Sequence, residues 1–190
     1  MRMFWDHGYE GASIAALAAR MGVTVPSLYL AFGNKQSLFM QAVDHYGRYN
    51  GRLYDKAFAR SSAREVAMEI LLGEVALVAG RGTPDGCLMV QGALATSPDS
   101  EPVRQAMARL RRDAESAVAA RFERARAQGE LPPGWDPQSL AAYVMTVAAG
   151  LAVQAKTGWP RKRLLQAAEM AMLIWPAERP AQAPSQRQQP

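Results

Sequence analysis

The sequence is poor in the residues that build disulfide frameworks, metal centres and many catalytic sites. Among 190 residues there is one cysteine, Cys87, and there are two histidines, His7 and His45. A single cysteine excludes a disulfide within the chain and any zinc site made of several cysteines. The histidines lack metal-site spacing, and no phosphate-binding glycine loop or GxSxG element is present. We therefore predict no catalytic residue, no cofactor and no metal site, and we do not expect an enzyme.

Long apolar runs are also scarce. Residues 1–11 include Asp6 and Glu10 and lack the uninterrupted apolar core of a secretory signal. The most apolar later stretch, residues 140–153, is shorter than the roughly 20 residues that a membrane-spanning helix needs. We expect a cytoplasmic protein with no membrane partner.

Basic residues outnumber acidic ones, but the distribution of the excess charge does not show where a nucleic-acid site would lie. The chain has 22 Lys and Arg against 17 Asp and Glu, a formal net charge of +5. Residues 1–50 have four basic against three acidic side chains, whereas residues 104–126 have seven arginines against three acidic side chains. We expect those arginines to form a solvated helix face with local pairs such as Arg111 with Glu115.

Alternation of apolar and polar residues, the pattern of strands, is missing, whereas apolar spacings of three and four recur. The sequence therefore predicts an all-α fold. Gly22 ends a short helix over residues 13–21, and Thr24 caps a second one over residues 25–32. Further helices are predicted over residues 35–54, 61–79, 87–95, 99–128 and 161–175, and another begins at Pro137.

Two short helices joined by a glycine turn, in the segment SIAALAARMGVTVPSLYLAF, form the pattern of a helix-turn-helix. Such a unit places its second helix in the major groove of DNA. Gly8-Tyr9 precede the segment and the run NKQSL follows it. With these neighbours, residues 3–46 resemble the DNA-binding signature of the tetracycline-repressor (TetR) family of transcriptional regulators.

The resemblance implies a ligand-responsive regulator, a repressor, that binds a palindromic operator as a homodimer. It implies a DNA-binding domain over residues 1–46 and a helical domain over residues 47–176 that binds an effector and forms the dimer. Two recognition helices would then lie roughly 34–36 Å apart. The alanine-rich apolar faces of the last two helices suit packing against a second copy. Residues 177–190 have no large apolar side chain and are expected to be a disordered tail.

The resemblance also assigns candidate DNA contacts. In related proteins the positions matching the first turn of the second short helix face the bases, and two later positions commonly contact phosphate. Hydroxyls and helix N-termini bind phosphate oxygens, and apolar side chains can contact thymine methyl groups. The candidates are Ser13, Thr24, Val25, Pro26, Ser27, Tyr29 and Lys35.

The chain departs from the family pattern at three points. Ala12 stands where the family has a threonine N-cap, so Ser13 has to supply the hydroxyl. Arg20 is the one basic residue left on the second helix, and the first helix is short because it begins at Met1. Either the true start lies upstream, which we favour, or the domain is short of packing. The alternative function is a small-molecule-binding or interaction protein of the same fold whose DNA-binding domain is degenerate.

An effector pocket is expected among the helices of residues 61–128 and 136–153. The effector would be a small apolar or amphipathic molecule, since methionine and aromatic side chains form adaptable apolar walls. The candidates, each of which could also be plain core, are Met68, Met89, Met107, Phe122, Tyr143 and Met145. Cys87 is expected near a helix N-terminus, which would lower its thiol pKa and make it reactive. We favour the other interpretation, in which Cys87 is a small buried apolar side chain.

Overall fold

The computed structural model describes residues 1–80 and 82–175. In these residues it contains nine α-helices, two short 3-10 helices and no strand, which confirms the all-α prediction. The predicted tail lies outside the described residues. The helices are α1 Arg2–Gly11, α2 Ile14–Met21, α3 Val25–Phe32, α4 Lys35–Phe58, α5 Ala63–Val78, α6 Leu88–Gln91, α7 Glu101–Ala127, α8 Pro137–Lys156 and α9 Arg161–Ala171.

The ends of the two short helices are set by the predicted capping residues. The Ser13 hydroxyl accepts a hydrogen bond from the Ala16 amide at 3.1 Å, so it replaces the missing threonine cap of α2. Gly22 ends α2 in the left-handed conformation, at φ 69°. Thr24 then caps α3 by accepting from the Ser27 amide at 3.3 Å. The turn between α2 and α3 is therefore fixed by local chemistry.

The short first helix is well packed. Phe4 and Trp5 are fully buried, and their rings meet Phe39 and Tyr46 of α4 edge to face at centroid distances of 5.1 and 4.8 Å. Such aromatic pairs contribute beyond the area that they bury. Tyr9 also lies edge to face on Phe39, at 5.1 Å. The concern that this domain lacks packing is therefore wrong for the described residues.

Helix α4 continues from the N-terminal helices into the larger bundle. Its 24 residues pass without a break through the predicted domain boundary at residue 46. In the bundle, α8 packs against α5, α7 and α9. Helix α8 has 20 residues and is apolar enough to span a membrane, so the earlier length argument does not exclude a span. Its packing among three helices is that of a core helix.

Five of the seven arginines in residues 104–126 are exposed, as predicted for a solvated face, and two depart from the prediction. Arg111 is half-buried and donates to the Met89 carbonyl at 2.9 Å instead of pairing with Glu115. Arg121 is buried and donates to the Arg60 carbonyl at 3.0 Å. Buried guanidinium groups require hydrogen-bond acceptors, and backbone carbonyls supply them here. These arginines connect α7 to its neighbours.

Candidate nucleic-acid interface and internal cavity

Helix α3 stands out from the surface of the N-terminal domain. It makes an angle of 95° with α2, close to the geometry of helix-turn-helix units. Leu28 is its only buried residue and anchors it to the domain, while Val25 is half-buried. The remaining predicted contacts on this helix and its cap are exposed, namely Thr24, Pro26, Ser27 and Tyr29.

The N-terminal end of α3 presents two exposed hydroxyl groups, those of Thr24 and Ser27. The Thr24 and Ser27 hydroxyl oxygens lie 2.8 Å apart and share one hydrogen bond, so one hydroxyl proton remains available to an outside acceptor. Pro26 occupies a position where its missing amide proton costs nothing. The structure thus brings these predicted contacts together on one surface.

Lys35 is held in place by α1. Its ammonium nitrogen lies 4.5 Å from the centroid of the Tyr9 ring and donates weakly to the Glu10 carbonyl, at 3.5 Å. The Glu10 carboxylate in turn accepts hydrogen bonds from the Ser97 amide and hydroxyl, and its pKa is lowered first by a hydrogen bond from the Ser100 side chain and then by those from Ser97. Lys35 is therefore a half-buried, oriented cation and not a freely solvated one.

Leu30 is a surface residue that the sequence analysis missed. It is 91% exposed on α3, next to Tyr29, which is 45% exposed. A leucine side chain this exposed buries almost no apolar surface within the protein and therefore hardly stabilises the fold. Its position in the helical pattern, outside the stripe that contains Leu28 and Phe32, was the signal that could have identified it.

A cavity of about 490 Å³ lies in the larger bundle, between α4, α5, α6, α7 and α8. Two of the six predicted pocket residues, Met89 and Met145, line it. Met107 and Phe122 are completely buried in the core and do not line it. Met68 packs against the core, and Tyr143 lines a smaller cavity while donating to the Ala171 carbonyl at 2.7 Å.

One end of the larger cavity is polar, and sequence reasoning missed its main groups. Glu74 of α5 is buried, and burial raises the pKa of its carboxyl to about 7. Asn50 of α4 is 8% exposed, and its Oδ1 has no hydrogen-bond partner among the described residues. Both residues stand in apolar stripes, Glu74 four residues after Ile70 and Asn50 four after Tyr46. A polar residue at a core position was the signal that could have found them.

Cys87 lies at the same polar end and has the opposite character from a reactive thiol. The Tyr46 hydroxyl donates to its sulfur at 3.3 Å, and the cysteine is 3% exposed. Burial raises the pKa of the thiol to about 12, and the Glu74 carboxyl adds to the effect. The expectation of a lowered pKa is therefore wrong, because α6 has only four residues and desolvation outweighs its dipole.

Helix α6 and its flanking residues contact both the cavity and α1. Met89 lines the cavity, whereas the carbonyls of Gly86 and Gly92 accept hydrogen bonds from the Trp5 indole at 2.8 Å and the Tyr9 amide at 2.7 Å. The Gln91 side chain donates to the Trp5 carbonyl at 3.0 Å. Residues 86–92 thus connect the cavity wall to the first helix of the N-terminal domain.

Comparison with known proteins agrees with this arrangement. The family model for bacterial regulatory proteins of the tetR family matches residues 1–42, and the tetracyclin repressor-like C-terminal domain model matches residues 70–170. The transcriptional repressor ComR of Escherichia coli (strain K12) is 29% identical over 178 residues, which are 93% of this chain and 85% of ComR.

Two solved structures show the same fold over almost the whole chain. A cysteine variant of the TetR family transcriptional regulator CifR, bound to a 26-base-pair operator, is 42% identical with a TM-score of 0.88 and 92% of each chain covered. A TetR transcriptional regulator from Rhodococcus sp. RHA1 is 38% identical with a TM-score of 0.62, covering 93% of this chain and 94% of that one.

An exposed recognition helix joined to a helical bundle with an internal cavity defines the class of ligand-responsive, DNA-binding transcriptional regulators. The chain belongs to the TetR family of these regulators. Membership confirms the prediction that it is not an enzyme, since its relatives are transcriptional regulators.

Proposed function

We propose that this protein represses transcription by binding a two-fold symmetric operator through α3 of each subunit in a homodimer, and that a small molecule in the larger cavity releases it. The observation that carries the proposal is the exposed face of α3, where Tyr29 and Leu30 are 45% and 91% exposed and the Thr24 and Ser27 hydroxyls leave one proton for an outside acceptor. The 42% identical CifR variant was solved on operator DNA, which supports the same use of this face.

In this proposal the DNA contacts are of two kinds, contacts with base edges and contacts with phosphates. Val25, Pro26 and Ser27 contact base edges in the major groove, where a thymine methyl group and base acceptors are available to apolar side chains and a hydroxyl. Tyr29, Lys35 and the N-terminus of α2 at Ser13 contact phosphates and fix the position of the helix on the duplex. The domain over residues 1–46 binds DNA, and the domain over residues 47–176 binds effector and partner.

Release follows from the position of α6. Its residues form part of the cavity wall, and the flanking carbonyls hold Trp5 and Tyr9 of α1. An effector that displaces α6 therefore pulls on α1, which packs against α4, and α4 in turn packs against α3. A coupling free energy of about 1–3 kcal/mol is enough to lower operator affinity between fivefold and roughly 150-fold.

The last two helices supply the dimer face. Val153 of α8 and Met170 of α9 are 43% and 64% exposed, and Leu173 and Ile174 in the 3-10 helix that follows α9 are 71% and 59% exposed. Grouped apolar exposure of this kind marks an interface, and two helices from each copy give a four-helix packing. A homodimer places two α3 helices on one operator, in the cytoplasm where the DNA lies.

The test is a fluorescence anisotropy titration of the full chain on a labelled duplex from the region upstream of its own gene. A scrambled duplex of the same length and composition is the control. We expect the upstream duplex to bind at least roughly a thousandfold more tightly at physiological salt. Equal affinity for the two duplexes would contradict the proposal.

A further inference from the structure

The polar end of the larger cavity contains a buried acid without a cation. Glu74 is 5% exposed, and in the part of the chain that the structure describes it belongs to no ion pair. Its carboxyl is influenced by burial and by a hydrogen bond with the Cys87 thiol, and not by any basic side chain. A buried carboxylate is unfavourable unless a cation or several donors compensate it.

A second acceptor at this cavity is also unsatisfied. Asn50 lines the same cavity as Glu74, and its Oδ1 has no hydrogen-bond partner within residues 1–80 and 82–175. Buried carbonyl oxygens are almost always hydrogen-bonded, and leaving one unpaired is destabilising. Two acceptors on different helices, α4 and α5, therefore line the cavity, one without a cation and the other without a hydrogen-bond donor.

The remaining groups near these acceptors do not supply the missing donors. The Tyr46 hydroxyl donates to Cys87 at 3.3 Å, and the Tyr54 hydroxyl donates to the Met145 sulfur at 3.8 Å. Arg111 and Arg112 also line the cavity, but Arg111 donates to the Met89 carbonyl, and among the described residues neither arginine forms an ion pair with Glu74. Most of the remaining wall is apolar.

We propose that the effector is a compact, largely apolar organic amine whose ammonium group binds the Glu74 carboxylate and the Asn50 Oδ1. This inference rests on the proposed function, in which the cavity is the effector site. An ammonium group has three donors and no acceptor, so it can donate to both acceptors and supply the cation that Glu74 lacks. The ring of Tyr54, which also lines the cavity, adds an attractive aromatic surface beside a cation.

Matched probes of one apolar body test this assignment. Isothermal titration calorimetry of the full chain at about pH 8, where an alkylamine is charged, compares 4-phenylbutylamine, 4-phenylbutan-1-ol and 4-phenylbutyrate. We expect the amine to bind roughly tenfold or more tightly than the alcohol, and the carboxylate to bind more weakly than the alcohol. Tightest binding by the carboxylate, or no binding by any of the three probes, would overturn the proposal.

Variants of Glu74 and Asn50 test whether these two residues cause the preference for the amine. Glu74→Gln keeps the side-chain volume and should remove the advantage of the amine, while alcohol binding shows that the cavity is intact. Asn50→Ala should reduce the advantage in part. Asp113→Asn, which removes an exposed carboxylate from α7, is the control and should change nothing. An unchanged ratio of amine to alcohol affinity in Glu74→Gln would refute the role of Glu74.

A separate readout distinguishes this inference from the proposed function. The operator duplex is titrated with and without saturating 4-phenylbutylamine. If the amine binds through Glu74 but leaves operator affinity unchanged, the assignment of ligand chemistry stands and the effector role of the cavity fails. If another probe releases the operator while the amine does not bind, the effector role stands and the amine assignment fails.

Discussion

Helices α3 and α5 are both rich in apolar residues, yet each has one feature that the surrounding protein does not satisfy. On α3 it is an exposed apolar face, and on α5 it is a buried acid. Helix α3 has eight residues, of which only Leu28 is buried, and Leu30 is 91% exposed. Helix α5 has sixteen residues with nine buried, and one of the nine is the acid Glu74. An exposed apolar face requires an external partner, whereas a buried acid requires an internal one. The difference separates the surface that we propose binds DNA from the cavity that we propose binds the effector.

The largest expected difference comes from the same substitution on the two helices. Leu71→Ala on α5 removes a side chain with 0% exposure and should lower the free energy of unfolding by about 2–5 kcal/mol. Leu30→Ala on α3 should change it by less than about 0.5 kcal/mol. Urea denaturation of both variants checks this. Destabilisation of equal size would mean that the exposed face of α3 is part of the fold and not a binding surface.

The second prediction concerns the buried acid and pH. The ordinary pKa of a glutamate is 4.5, and burial raises that of Glu74 to about 7. Both states are protonated below the lower value. Between the two values the unfolded chain releases the proton while the folded chain retains it, so folding becomes less favourable as pH rises. The penalty reaches about 3 kcal/mol above pH 7.

Glu74→Gln should abolish this contribution. The difference in unfolding free energy between the variant and the original protein should grow in favour of the variant from about pH 4.5 to 7 and then stay constant. The neighbouring Cys87, Tyr46 and Tyr54 have pKa values raised by burial and do not titrate in this window. A difference independent of pH would show that Glu74 is already compensated.

A smaller effect is expected at the exposed hydroxyl of α3. Tyr29→Phe should weaken operator binding by about 1 kcal/mol, because one hydrogen bond to phosphate is lost. The free energy of unfolding should not change, since the ring is 45% exposed. Anisotropy titration measures the first quantity and denaturation the second. Unaltered affinity would remove Tyr29 from the set of contacts.

The smallest effect is a change of salt dependence. Lys35→Ala should weaken binding to all duplexes alike and reduce the slope of log affinity against log salt by about one, because one phosphate contact is lost. Arg109→Ala, an exposed cation on α7, should leave the slope unaltered. Identical slopes for the original protein and Lys35→Ala would show that the Lys35 ammonium group contacts Tyr9 and Glu10 and no phosphate.

Much of the N-terminal domain could be predicted because its elements are fixed by neighbours in sequence. Ser13 and Thr24 cap their helices as predicted, and Gly22 ends α2. Caps and turns depend on side chains three or four residues away, so their pattern is visible in the chain itself. The exposure of the start of α3 was implied by the resemblance to the TetR family.

The cavity could not be predicted in the same way. Met107 and Met89 are the same type of residue in similar apolar patterns, but Met107 is completely buried and Met89 lines the cavity. Which apolar residue faces a void depends on how five helices pack, and helical spacing does not contain that information. Arg111 was misassigned for the same reason, because its partner is a carbonyl 22 residues away on α6.

The central claim is that the exposed face of α3 is covered by operator DNA. Hydroxyl-radical footprinting with mass spectrometry measures this directly, because exposed leucine and tyrosine side chains are oxidised in proportion to their accessibility. With a saturating upstream duplex, oxidation of Tyr29 and Leu30 should fall several-fold, while that of Leu94, 56% exposed in the larger domain, should stay constant. Undiminished oxidation of Tyr29 and Leu30 in the bound complex would contradict the account.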